Sequence, residues 1–446
     1  MPRGAVNRSL PEPPSFLLAA HCDLNGIFRG KRVRAAGAEK VLKAGIRMPM
    51  SSIGVDIWGT DVLGNALFDR GDLDGIVEPT GRGPIPLSWT ETPALLLPMW
   101  MRLESGAPFF GDPRRVLADV ASRFAARGLT PVVATELEFY LVDPNEARAR
   151  PLTPLPEAHE GAGDTIYCLQ ELANVGPFLD DVYAMAEACG VAVDAAISES
   201  GPGQYEFNLV HGPDLLRVAD DTVFFKQIVK NVARRHGLAA SFMAKPYANH
   251  SGSGLHVHFS LLDGEGRNVF DDGTPAGTDL MRHAVAGLLE AMHDSTLIFA
   301  PHRNSSRRLR PGTLAPTTAA WGYENRTAAV RIPGGPNPAR RIEHRVSGAD
   351  ANPYLVLAAI LAAALDGIEA GIAPPAPTQG NVYKAAGRAI PPDWRQAIET
   401  FETSELMARL FPADFITMFA TCKRQELAVF EAEISELEYR SYLHSV

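Results

Sequence analysis

Cysteine is scarce in this chain, and the four present, Cys22, Cys168, Cys189 and Cys422, stand far apart with no C-x-x-C pair among them. That spacing excludes a disulfide-stapled scaffold or a thioredoxin-like redox motif, and it fits a reduced, cytoplasmic setting. Positive charge is in deficit too: 42 Lys and Arg stand against 52 Asp and Glu, a net charge of −10. A general nucleic-acid binder needs surplus cations to neutralise phosphates, so that class is set aside. Long apolar runs are missing. The most apolar stretch, residues 354–368, is broken by Asp366 and is too short to span a bilayer comfortably. Asn352-Pro353 ahead of it and Gly371 behind it supply a cap, a first-turn proline and a stop, which predicts a buried core helix and no membrane partner. The N-terminal MPRGAVNRSLPEPPSF has no continuous apolar region before its prolines, which argues against a secretory leader. There is no internal repeat, no low-complexity tract and no G-x-x-x-x-G-K-[ST] loop.

What is there suits a globular protein with more than one core: 446 residues, 46% hydrophobic and 21% charged. The expected class is α+β in two domains, with a frayed tail over 1–15, a small mixed β domain over 16–106 and a larger domain over 107–446. Turn and strand signals at Asp23-Leu24-Asn25-Gly26, residues 48–58 and residues 94–101 mark the first domain. Asp112-Pro113 then opens an amphipathic helix with Val116, Leu117, Val120 and Phe124 on one face, stopped by Gly128. Further helices are expected over 178–189, 213–237 and 278–295. A proline-rich link over 373–380 leads to a helical section over about 391–440.

Four short stretches carry acid or imidazole at alternate positions: Glu136-Leu137-Glu138, Gln204-Tyr205-Glu206, His256-Val257-His258-Phe259-Ser260 and Arg341-Ile342-Glu343-His344-Arg345. A period of two is that of a strand with one face in apolar core. The other face then presents Glu136, Glu138, Glu206, His256 and Glu343, with Glu199 just upstream of the second stretch. Any one Glu-x-Glu strand is more often an exposed charged face, and arginine runs are usually solvated. Several strands presenting ligand-type residues in one register point instead to a cavity for two hard divalent cations. Carboxylate-rich, thiolate-free coordination indicates Mg2+ or Mn2+ rather than zinc or copper, and the imidazole tilts one site towards Mn2+. The segment from His302 to Arg345 adds Arg303, Arg307, Arg308, Arg310, Arg326, Arg331, Arg340, Arg341 and Arg345. Planar guanidiniums grip carboxylate and phosphate bidentately. The glycines of His250-Ser251-Gly252-Ser253-Gly254 let backbone N–H groups approach an anion. Together these groups suit metal-dependent phosphoryl transfer or ligation with a nucleotide and an acidic substrate.

The stretches ATELEFYL, SESGPGQYEFNL, FMAKPYANHSGSGLHVHFSL, RRLRPG, ENRTAAVRIP and RRIEHR followed by ADANPYL resemble the glutamine synthetase family over nearly the whole chain. The resemblance implies a β-grasp domain up to about residue 106. The rest would be a catalytic domain around a funnel of antiparallel strands flanked by helices. It also implies a homo-oligomer of stacked rings, a dodecamer, with sites shared between neighbouring subunits. The family pattern would give one metal to Glu138, Glu199 and Glu206 and the other to Glu136, His256 and Glu343. It would give L-glutamate to Gly252, Arg308, Arg326 and Arg345, and ATP to His258, Ser260, Arg326 and Arg331. Arg326, Arg308 and Glu199 would carry catalytic roles. The implied chemistry is a two-step ligation, in which γ-glutamyl phosphate forms from glutamate and ATP and an amine then displaces the phosphate.

Two departures bear on that amine. Ammonia-using members carry an acid in a D-G-S-S stretch, where this chain reads Met48-Pro49-Met50-Ser51-Ser52-Ile53. They also carry a glutamate on the flap after R-L-x-P-G, where this chain has Leu314. Both departures remove negative charge from a pocket that would hold a desolvated ammonium ion, and they offer apolar contact instead. The expectation is a glutamate–amine ligase of the γ-glutamylpolyamine synthetase-like branch, taking putrescine or spermidine first, then ethanolamine or a monoamine. Met50, Ser51, Asp56 and Leu314 would form the acceptor pocket. One alternative is an ammonia-using glutamine synthetase whose acids come from Asp56 or Glu78. Another is a protein of this fold that has lost catalysis and serves a structural or regulatory role, which should show as missing ligands. A third, phosphorylation of a guanidino compound, would yield no amide. Tyr383 lies near the region where some bacterial members are adenylylated, but its flanking sequence is unpersuasive and it reads as an ordinary loop residue.

Overall fold

The computed structural model describes residues 14–65, 67, 71–145, 150–151, 166–313, 315–384 and 387–446. Phe16–Cys22 and Ala94–Arg102 alternate apolar residues into a core and pair in parallel at the heart of a six-stranded sheet. Phe28–Arg34 extends the sheet on one side, and Asp74–Pro79 and Ile46–Pro49 extend it on the other. The 48–58 stretch is strand only as far as Pro49. Met50–Ile53 closes into a 3-10 turn, with Ser51 N and Oγ donating to Asp72.

Asp112 joins this sheet to the rest of the chain. Its carboxylate caps the helix Pro113–Ala125 by accepting from Arg114 N, and it also accepts from Met101 N at 2.6 Å at the end of a strand. Val116, Leu117, Val120 and Phe124 are buried on the helix face the sequence assigns to the core.

The second sheet has nine strands among the described residues. Its order is Trp321–Tyr323, Val330–Ile332, Ile342–His344, Leu255–Leu262, Thr130–Asp143, Gln204–Leu209 and Val193–Ser198, with two short strands added on Thr130–Asp143. Neighbours are antiparallel except Trp321–Tyr323 with Val330–Ile332. Along the long strand, Val133, Leu137, Phe139 and Leu141 are fully buried on one face, under the helices Gly176–Ala188 and Leu215–Arg235. Residues of the other parity, Glu136 and Glu138 among them, turn the opposite way.

Pro353–Ala370 is the predicted core helix, 78% buried, and it packs against Asp279–Met292 and Pro113–Ala125. Asn352 caps it by accepting from Tyr354 N, while its amide donates to Asp23 O at 2.9 Å. One side chain thus ties the Asp23–Gly26 turn of the first sheet to the core helix. The C-terminal section is helical, with Trp394–Thr403, Glu405–Leu410, Ala413–Ala432 and Glu436–Tyr442.

Candidate active site

Strand register alone brings the acids together. Glu206 is paired with Glu138, His256 with Glu136, and His258 with Glu343 across adjacent antiparallel strands. Partners directly opposite share a sheet face, so these six side chains converge. Glu199 enters from the end of Val193–Ser198. Ligand atoms of Glu138, Glu199 and Glu206 lie within 4.8 Å of one another, as do those of Glu136, Glu206 and His256 and those of Glu136, His258 and Glu343. His256 therefore groups with Glu206, and Glu343 with His258, whereas the family pattern pairs His256 with Glu343.

The acids are held unequally. Burial works to raise Glu136, but hydrogen bonds from His256 and His258 outweigh it and keep the carboxyl well below the usual range. His256 Nδ1 is 3.2 Å from Glu136 Oε2 and His258 Nε2 is 2.8 Å from Oε1. Arg341 Nε approaches His258 Nδ1 at 3.3 Å. Burial likewise works to raise Glu343, yet Arg345 and the two histidines bring it down to about 2. Its carboxylate pairs with Arg331 at 2.7 Å and with Arg345. The opposite holds for Glu199, raised to about 8 by burial and the neighbouring Glu138. Glu206 is raised well above the carboxylate range by burial together with Glu136, Glu138 and Glu199. A cluster of acids that can ionise together only at high cost is one that a cation would complete. The donor set fits a hard divalent ion: carboxylate oxygen and imidazole nitrogen, with no cysteine on the cavity wall.

The carboxylates line a cavity of about 1100 Å³ together with Arg308, Arg326, Arg331, Arg341 and Arg345. Arg308 is buried and donates from Nη1 to Val346 O at 2.8 Å. Arg331 Nε and Arg345 Nε are buried without an acceptor, open donors for an anion. Gly252 and Gly254 are close approaches. A Cβ on Gly254 would stand 2.6 Å from Arg308 Nη2 and 2.9 Å from His256 Nε2, and one on Gly252 would stand 2.7 Å from Ala244 O. The turn is fixed by Glu138 Oε2 accepting from Gly254 N at 2.7 Å and by Gln204 Nε2 donating to Gly252 O at 3.0 Å.

Gly252, His258, Ser260 and every acid and arginine singled out from the sequence for metal, glutamate or nucleotide line this one cavity. Met50, Ser51 and Asp56 do not. Met50 packs against the core, Ser51 is bonded to Asp72, and Asp56 accepts from Trp58 N, Thr60 N and Gln425 Nε2. Leu314 lies outside the described residues, between Thr313 and Ala315, which line the cavity. Sequence reasoning missed Ile166, Tyr167 and Ile197, which form an apolar wall beside Glu199. Tyr167 holds φ at +60°, rare for a non-glycine residue, and no periodicity announces it.

Comparison with known proteins agrees with this geometry. Residues 110–442 match the glutamine synthetase catalytic domain. Over 426 residues the chain is 36% identical to the gamma-glutamylputrescine synthetase PuuA of Escherichia coli, covering 93% of this chain and 89% of that protein. It is 33% identical to the gamma-glutamylethanolamide synthetase GlnA4 of Streptomyces coelicolor over 432 residues, 95% of this chain and 91% of the relative. The structure of apo GmaS without ligand superimposes with a TM-score of 0.84 at 30% identity, covering 97% of each chain. On the domain match and on these near full-length likenesses, the chain belongs to the glutamine synthetase family.

Proposed function

We propose that this protein is an ATP-dependent ligase that joins the γ-carboxylate of L-glutamate to an organic amine, with a polyamine such as putrescine first among the acceptors. The observation that carries the reading is one cavity lined by crowded carboxylates, by five guanidiniums and by the apolar side chains of Ile166, Tyr167 and Ile197. Its relatives named for putrescine and ethanolamine support the acceptor class.

Two Mg2+ or Mn2+ ions, one on Glu138, Glu199 and Glu206 and the other drawing on Glu136 with His256, His258 and Glu343 around it, would neutralise charge on phosphate oxygens. The chain's own residues do the rest. Gly252, Arg308, Arg326 and Arg345 hold glutamate, while Arg331, His258 and Ser260 meet the nucleotide. The γ-carboxylate attacks the γ-phosphorus of ATP, and ADP leaves. The amine, having shed a proton whose ordinary pKa is about 10, attacks the γ-carbonyl and phosphate departs. Arg308 and Arg326 stabilise charge on the transferring group. Walls that exclude water protect the acyl phosphate from hydrolysis.

A homo-oligomer of ring-stacked copies in a reducing, cytoplasmic setting belongs to the same reading. The exposed Leu437, Tyr439, Tyr442 and Leu443 near the C-terminus support contact with a second copy, and native mass spectrometry reads the assembly.

The test is a panel of ammonia, putrescine, spermidine, ethanolamine and simple alkylamines, reading ADP release and product mass. Amide formation with an organic amine, dependent on glutamate and faster than with ammonia, is expected. Ammonia outpacing every organic amine would overturn the acceptor assignment.

A further inference from the structure

The hydrogen bonds of residues 375–384 do not suit a passive linker. Trp321 Nε1 donates to Pro375 O at 2.7 Å, and Thr378 N donates to Trp321 O at 2.8 Å. The Asn325 side-chain amide donates to Thr378 O at 3.1 Å and to Gly380 O at 2.8 Å. Val382 N donates to Thr327 Oγ1 at 3.0 Å. The segment lies so close to the strand Trp321–Tyr323 that a Cβ on Gly322 would stand 2.7 Å from Thr378 O. It ends with the Tyr383 hydroxyl donating to Ala315 O at 2.8 Å.

Both tethered stretches carry active-site arginines. Ala315 closes the stretch that begins at Arg308, and the one Thr313 hydroxyl proton is shared between Arg308 O at 2.9 Å and Arg310 O at 2.7 Å. Asn325 opens the turn that carries Arg326, and its Oδ1 accepts from Thr327 N and Thr327 Oγ1 inside that turn. Arg308 has its own anchor on Val346 O. Arg326 is exposed and has no hydrogen bond or ion pair among the described residues, so the turn sets the backbone point from which its guanidinium reaches into the cavity.

We infer that residues 375–384 are a strap that positions two arginines of the active site, with Tyr383 latching the stretch 308–315 through Ala315 O and Asn325 fixing the turn that bears Arg326. Neither residue lines the cavity; each acts through an arginine that does. The inference rests on the ligase reading for the substrate those arginines meet. The latch itself is a property of the fold.

Tyr383→Phe removes one hydroxyl and leaves the ring. In the full-length protein, backbone hydrogen exchange of peptides covering 308–316 should quicken, and kcat/KM for glutamate should fall, each by about 2- to 10-fold, the worth of one net hydrogen bond. KM for ATP and the thermal midpoint should hold. Asn325→Ser should lower kcat/KM for glutamate without quickening exchange in 308–316, which separates the two tethers and stands in if the tyrosine variant misfolds. Unchanged exchange in Tyr383→Phe, faster exchange with unchanged kinetics, or a general fall in thermal midpoint with every kinetic constant would each overturn the latch. A wild-type protein that makes no γ-glutamyl amide would overturn the function instead, and the exchange comparison, which needs no turnover, would still judge the latch.

Discussion

Glu138 and Glu206 face each other across neighbouring strands, with Glu199 within reach of both, an arrangement that costs free energy wherever the charges lack a cation. Glu199, raised to about 8, keeps its proton through neutrality in the cation-free protein. Ligation requires the carboxylate, so the proton must leave as the ion enters, and affinity must rise as pH climbs towards 8. Calorimetric titration with Mn2+ in two buffers of different ionisation enthalpy should report proton release, and identical heats in both would refute it. At the same scale, Gly254→Ala pushes a methyl into Arg308 Nη2 and His256 Nε2. Displacing both groups by a fraction of an ångström or more should lower kcat/KM for glutamate by about 100-fold. Steady-state kinetics at near-native activity would count against the placement of Gly254.

Helices Asp279–Met292 and Pro353–Ala370 meet through glycine. A Cβ on Gly287 would stand 2.1 Å from Ala363 O, and one on Gly367 would stand 2.3 Å from His283 O. Glycine-to-alanine inside a helix ordinarily gains about 1 kcal/mol from propensity. Here the methyl would meet backbone, which cannot rotate aside, and overpacking typically costs about 1–3 kcal/mol or more. Packing wins, so Gly287→Ala should lower the thermal midpoint, and a raised midpoint would show that the helices can part. The buried helix itself was readable from composition, cap and stop. Its glycine contact was not, because a lone glycine in a helical pattern carries no sign of what crosses it.

Across the whole molecule, the first sheet is tied to the C-terminal helices by a buried ion pair. Lys423 and Glu426, both fully buried on Ala413–Ala432, pair at 3.0 Å. Lys423 also donates to Asn25, while Glu426 accepts from Ile57 N at 2.9 Å, both partners lying near the first sheet. Removing one partner leaves the other charge buried and uncompensated, at a cost of about 3–5 kcal/mol. Lys423→Met should therefore shift the urea midpoint sharply lower, whereas Lys423→Met with Glu426→Gln should recover part of the loss. A double variant that loses the sum of the losses of Lys423→Met and Glu426→Gln would show that the pair contributes no coupling.

The direction in which Glu136, Glu138, Glu206, His256 and Glu343 point was settled by the chain alone, since alternation along a strand is local and needs no partner. So were the capped helices at Asp112 and Asn352, where one side chain satisfies the nearest backbone donors. Which acids share a neighbourhood was decided only by tertiary structure. Cross-strand register set His256 opposite Glu136, with Glu206 in reach of both, and set His258 opposite Glu343, where the family pattern joins His256 to Glu343. The apolar wall at Ile166, Tyr167 and Ile197 and the seating of residues 375–384 beside Trp321 likewise arise from irregular backbone meeting distant segments. Contacts of that kind leave no periodic trace in sequence, because their partners are fixed by the path of the chain and not by neighbouring residues.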